Sequence, residues 1–235
     1  MKTQPTGYVL SEQNGVVCVL TGFQNSANRK TGNMLQTWIL VAAVDPVTAM
    51  QTGEEWKVCG DCPLRGGTCY VPRFQAPVAV WRKYRRDGYP PINWDVLQGH
   101  MVRIGSFGDP AFVPAAIWSQ VLKHCAGSIG YTHQWRLPGA QYLRQTAMAS
   151  VESLADQSDA VAAGWRTFRI RMEGQPKLAD EVVCPASDEA GHRTTCSRCL
   201  LCCGRSKRAK SVVINAHGRR ATRFGFITGN PEPGS

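Results

Sequence analysis

Cys196, Cys199 and Cys202 follow one another at two-residue gaps, a dozen residues after Cys184-Pro185, and this run narrows most what the chain can become. Such spacing lets three thiolates reach three corners of one cubane, with a remote cysteine beside proline as the fourth. A second group repeats the tight gap. Cys59-Gly60-Asp61-Cys62-Pro63 is followed by Cys69, and Gly60, Gly66 and Gly67 leave the loop free to wrap around a bound centre. Ten cysteines in 235 residues with no secretory leader suit a reducing compartment, where closely spaced thiols hold metal more often than they form bridges. The expected ligands are Cys59, Cys62, Cys69, Cys184, Cys196, Cys199 and Cys202. One or two [4Fe-4S] clusters is the favoured cofactor, and zinc held by Cys184, Cys196, Cys199 and Cys202 is the alternative. Cys18 and Cys125 lie in apolar runs and read as core residues, while Cys203 is an open eighth candidate.

Composition sets the outer limits. With 43% hydrophobic and 19% charged residues the chain can bury a full core, so one domain over residues 1–228 is expected, with 229–235 as a flexible tail. No apolar run approaches the roughly 20 residues that cross a bilayer, which points to a soluble protein without a membrane partner. The formal charge of +10 would ordinarily suggest a polyanion, but metal-bound cysteines are thiolates and would cancel part of it. Arg205, Lys207, Arg208, Lys210, Arg219, Arg220 and Arg223 bracket the last apolar stretch and make nucleic acid a candidate partner, although a solvated basic face is the commoner meaning of such a run.

Periodicity supplies the fold class. Residues 15–20 and 37–44 read as strands, 76–84 is ambiguous between strand and helix, and 115–125 has helical spacing. Strands are expected at 102–105, 129–133, 145–151, 167–171, 181–184 and 211–216, with a helix over 152–163. Strands separated in this way suit parallel pairing with crossovers. The expectation is therefore an α/β protein, a single-domain βα barrel that is TIM-like and either complete or partial, with metal-binding loops at its C-terminal rim. A doubly wound sheet is the runner-up. Asp109, His133, Glu152 and His217 each fall just after an expected strand and form a candidate rim pocket. Each also has a plainer reading: Asp109 as a turn residue before proline, both histidines as donors to a carbonyl, and Glu152 as a first-turn helix carboxylate.

The strings Cys59-Gly60-Asp61-Cys62-Pro63-Leu64-Arg65, Arg103-Ile104-Gly105-Ser106-Phe107-Gly108-Asp109-Pro110, Gly130-Tyr131-Thr132-His133-Gln134-Trp135 and Cys184-Pro185-Ala186-Ser187, with the run from Cys196 to Cys202, carry a resemblance. Over residues 32–218 the chain resembles an uncharacterised cysteine-rich family encoded by bacteriophages and bacterial plasmids. That likeness implies the cytoplasm of an infected or plasmid-bearing bacterium. More distantly, a cysteine-bearing first loop on a βα barrel is similar to radical SAM enzymes. Their usual cysteine gaps are three and two residues, whereas Cys59, Cys62 and Cys69 have gaps of two and six, which weighs against SAM chemistry. The function expected is iron–sulfur electron transfer, or redox chemistry on a small substrate, with a redox partner or small molecule bound. A zinc-stabilised nucleic-acid-binding protein is the alternative.

Overall fold

Asn14 and Gly15 both adopt positive φ, at 52° and 74°, and so close the tight reversal that opens the fold. It joins β1 (Gly7–Gln13) to β2 (Val16–Thr21), and β3 (Leu35–Val41) pairs antiparallel on the other side of β2. A helical run then follows. Asp45 caps α1 (Pro46–Thr52) by accepting from the amides of Val47 and Thr48, and α2 (Trp56–Cys59) and α3 (Ala76–Arg86) come next. The ambiguous segment at 76–84 is thus helical, with Pro77, Val78 and Val80 buried and basic residues in its last turn. Thereafter strands and helices alternate: β4 (Met101–Phe107), α4 (Ala115–His124), β5 (Gly127–Thr132), β6 (Met148–Val151), α5 (Leu154–Ala162), β7 (Thr167–Arg171), β8 (Glu181–Val183), α6 (Cys196–Cys199), β9 (Ser211–Asn215) and α7 (Ala221–Phe224).

The computed structural model describes residues 4–24, 29–86, 88–204, 209–217 and 221–224. Arg205, Lys207, Arg208, Arg219, Arg220, the side chain of Arg223 and the tail at 229–235 lie outside the described residues. Lys210 is described, and its ammonium donates to the Ala179 carbonyl at 3.1 Å.

The nine strands form one sheet in the order β1-β2-β3-β4-β5-β6-β7-β9-β8, and every pairing from β3 onward is parallel. The fold is α/β and the sheet does not close. A barrel with its first and last strands side by side would need a free edge on β3, and β2 already occupies that edge. The order does not reverse in mid-sheet either, as a doubly wound fold requires; β3 to β7 follow sequence. Only β8 breaks the order, since the chain lays it at the edge and then returns to place β9 inside it.

Alternation along the parallel strands divides the core into two faces. Val102, Ile104, Ala149 and Val151 turn toward Trp118 and Val121 of α4 and Ala160 of α5. The opposite residues, Met101, Ile129, Tyr131, Met148, Phe168, Ile170, Val212 and Ile214, pack instead against Leu64 and the segments bearing the cysteines. Over the parallel strands α4 and α5 cover one face and the cysteine-bearing segments cover the other, while α3 packs on the side of β2 and β3 away from α4. No helix among the described residues is long and apolar enough to cross a membrane.

Candidate metal centre

The C-terminal ends of the parallel strands carry most of the candidate residues. His133 and Glu152 directly follow β5 and β6, Cys184 directly follows β8, and Asp109 and His217 stand two residues past β4 and β9. Strand ends of this kind aim side chains and loops at one edge of the sheet.

The second cysteine group is assembled from two segments. Cys184 leaves the end of β8, and α6 with its following turn brings Cys196, Cys199 and Cys202 back across β5. Three contacts fix that return: the Gly130 amide donates to the Cys202 carbonyl at 3.2 Å, and the Cys196 and Ser197 amides donate to the carbonyls of Lys30 at 2.8 Å and Thr31 at 3.2 Å. Leu200, at φ 51°, turns the chain between Cys199 and Cys202. Cys184, Cys196, Cys199 and Cys202 then line a single pocket whose floor is Ile129, Tyr131 and Val212. All four are free thiols. The group thus sits over the sheet face, beneath the rim on which sequence placed it.

Burial and mutual repulsion disfavour the thiolate form here, and nearby cations and a hydrogen bond oppose them. Burial pushes the Cys202 thiol up to about 12, opposed by a hydrogen bond from the Tyr131 hydroxyl and reinforced by the other three thiols. Burial likewise raises Cys184 and Cys196, while Lys30 pulls both down and Arg103 pulls down Cys196. The Arg103 guanidinium lies 5.9 Å from the Tyr131 ring centre, and its Nε is buried with no hydrogen-bond partner. A buried, unanswered donor beside four thiols fits an anionic group bound among them.

The first group lies on one loop, where the thiols of Cys59, Cys62 and Cys69 act on one another, and Cys62 packs against the buried cluster that holds Cys184 and Cys202. Gly60, at φ 52°, lies so close to Gln134 that a Cβ there would stand 2.7 Å from its amide, and Gln134 Nε2 donates to the Cys59 carbonyl at 3.1 Å. Burial raises Cys59 well above its usual range, with Glu55 and the neighbouring thiols adding to the rise. Burial also raises Cys69, against the pull of Arg73, which ion-pairs with Glu55.

The rim residues adjoin this group. Asp109 accepts from the Thr132 hydroxyl at 2.7 Å, the Ala111 amide at 3.0 Å and the His133 amide at 2.7 Å. Both its oxygens are engaged, so it holds the turn and positions His133; burial raises its carboxyl, and the hydrogen bonds oppose that rise. His133 Nε2 meets Glu152 Oε1 at 2.8 Å, and the ring also hydrogen-bonds the Cys62 thiol. Burial disfavours the charged imidazole, yet Glu152 and Cys62 outweigh it and set the ring well above its ordinary value. Glu152 is not the helix-start carboxylate expected: Ser153 caps α5, and Glu152 stands outside the helix. His217 Nδ1 bonds the Asn215 carbonyl at 3.0 Å, as its plainer reading requires, and its ring lies 5.1 Å from that of Tyr70. Cys18 is fully buried in β2, and burial raises its thiol far above the usual range.

Tyr131, Arg103, Lys30 and Gln134 were not singled out by spacing. Tyr131 carried one signal, since it shares the period-two face of Ile129 in β5. Among the described residues no three His, Cys, Asp or Glu side chains converge on one point as ligands of a single ion would. No family model, curated protein or solved structure matches the chain.

Proposed function

We propose that this chain is an iron–sulfur protein, phage-encoded and acting in the host cytoplasm, with a [4Fe-4S] cluster in the pocket of Cys184, Cys196, Cys199 and Cys202. One observation carries the reading: four free thiols from two segments line one pocket over the sheet. Three cysteines at two-residue gaps with a remote Cys-Pro suit a cubane, which takes each thiolate on a different iron. Zinc would need all four sulfurs about 2.3 Å from one centre. The Tyr131 hydroxyl on Cys202, with Lys30 and Arg103 close by, supplies hydrogen bonding and positive charge to a dianionic core and would raise its reduction potential.

A cluster with four cysteine ligands has no vacant iron, so one-electron transfer is the activity this site supports rather than Lewis-acid chemistry. The partial-barrel reading is kept as part of this proposal: the open parallel sheet has α4 and α5 on one face and the cysteine-bearing segments on the other. The test is iron and acid-labile sulfide analysis of anaerobically purified protein, with visible spectra before and after dithionite. A brown, reducible protein is expected, with Cys199→Ala losing that cluster and Cys18→Ala keeping it. A colourless zinc protein whose DNA affinity falls steeply with salt would overturn the reading in favour of nucleic-acid binding.

A further inference from the structure

We infer that the surface over α6 is the docking face for a redox partner, and that this partner is a one-electron carrier protein with an acidic surface. The inference rests on the cluster reading above and adds to it the chemistry of the partner. In a four-residue helix that turns its first and last residues inward, the third points away; Cys196 and Cys199 line the pocket, and Arg198 is exposed. α6 is therefore a thin cover, with sulfur on its inner side and a guanidinium outside.

Neighbouring segments extend the same charge. Residues 29–32 lie against the start of α6: the Cys196 and Ser197 amides donate to the Lys30 and Thr31 carbonyls at 2.8 and 3.2 Å, and a Cβ on Gly32 would stand 2.6 Å from the Ser197 hydroxyl. They bring Arg29, which is exposed, and Lys30, whose charge reaches Cys184 and Cys196. Arg193, also exposed, comes just before α6. Residues 29–32 and 190–204 together hold four Lys or Arg and no carboxylate. The acids next in sequence are already committed, Asp188 to His192 and Glu189 to Arg171. Among the described residues Arg29, Arg193 and Arg198 have no carboxylate partner, so their charge is left to solvent or to a docked protein. A helix dipole does not account for them, since Arg29 and Arg193 lie outside any helix. Charge arranged in this way speeds encounter and selects the partner of opposite sign. A single-stranded nucleic acid would be drawn to it too, but these segments hold no Phe, Tyr or Trp on which bases could stack. Electron transfer forms no bond and moves no proton: the carrier loses one electron as the cluster gains one.

The test compares full-length protein, purified anaerobically, with Arg198→Glu and with the triple variant Arg29→Glu/Arg193→Glu/Arg198→Glu. The probes are plant-type ferredoxin as an acidic carrier, cytochrome c as a basic one and a single-stranded DNA oligonucleotide. Stopped flow follows electron transfer, and calorimetry follows binding of oxidised ferredoxin. All three proteins are expected to hold the same iron and to share one visible spectrum. Reduced ferredoxin should pass its electron to wild type at a rate that falls with added salt, about tenfold lower in Arg198→Glu and about a hundredfold lower in the triple variant. The heat of ferredoxin binding should vanish in the triple variant, while cytochrome c, oxidising the reduced protein, should react faster with it. Equal ferredoxin rates and binding in wild type and triple variant, rates indifferent to salt, or an oligonucleotide held by this face more tightly than ferredoxin would each overturn the inference and leave the cluster in place. Wild type without iron would end the cluster reading and this inference with it.

Discussion

Asp109 shows how much one buried carboxylate can organise. It satisfies Ala111, Thr132 and His133 at once, with its own amide donating to the Val58 carbonyl at 2.6 Å, so it ties the end of β4 to the end of β5 and to α2. Asp109→Ala would strand three donors, each costing about 1–3 kcal/mol when left unsatisfied. Chemical denaturation should show a loss of about 3 kcal/mol or more. Asp109→Asn should cost less, since it keeps an acceptor oxygen. Gly108 just before it is equally constrained: at φ 74° a Cβ would stand 2.5 Å from the Ile39 carbonyl oxygen. Gly108→Ala should therefore lower the melting temperature by several degrees, a cost of about 1–3 kcal/mol.

Between β7 and β8 the decisive pair is Arg169 with Glu181, 3% and 1% exposed, joined by two contacts of 2.7 Å. Burial alone would raise the Glu181 carboxyl, but Arg169 and the Leu178 amide hold it below its usual value. A carboxyl depressed by folding contributes stability above its unfolded pKa of about 4.3, and loses it as pH falls through the folded value. Acid titration of stability should thus show a loss below pH of about 4 that Glu181→Gln abolishes. Glu181→Ala leaves a buried guanidinium uncompensated and should cost about 3–5 kcal/mol. Sequence made the elements of this region legible because their apolar runs are short and bounded, so strands at 167–171 and 211–216 fall within a residue of β7 and β9. β1 is hidden from the pattern because its second half, Ser11 to Gln13, is polar, with Glu12 and Gln13 exposed along an edge. That Cys184, Cys196, Cys199 and Cys202 share one pocket could be read because α6 and its turn keep three of them local. The role of Arg103 could not, since nothing in the spacing of β4 says which cations will lie over a loop a hundred residues away.

For the molecule as a whole, the sheet divides labour between its two faces. Beside α4 and α5 stability is ordinary apolar burial; the cysteine-bearing segments across the sheet have little regular structure, and on the proposed reading their order depends on bound metal. Hydrogen exchange on metal-loaded and metal-stripped protein should reveal the difference. On stripping, amides at 184–204 and 59–72 should lose protection while those of β2 and β3 stay unchanged; uniform loss over the sheet would show that metal supports the entire fold instead.

The inverted order of the last two strands has a consequence for how the protein is made. β8 pairs with β9 alone, so during synthesis Cys184 leaves the ribosome on a strand that has no neighbour until the final strand emerges. Until then the four sulfurs belong to a tethered, open loop. On the proposed reading a cluster is held there only once β9 has emerged, and a nascent chain stalled before Ser211 should be unable to retain iron.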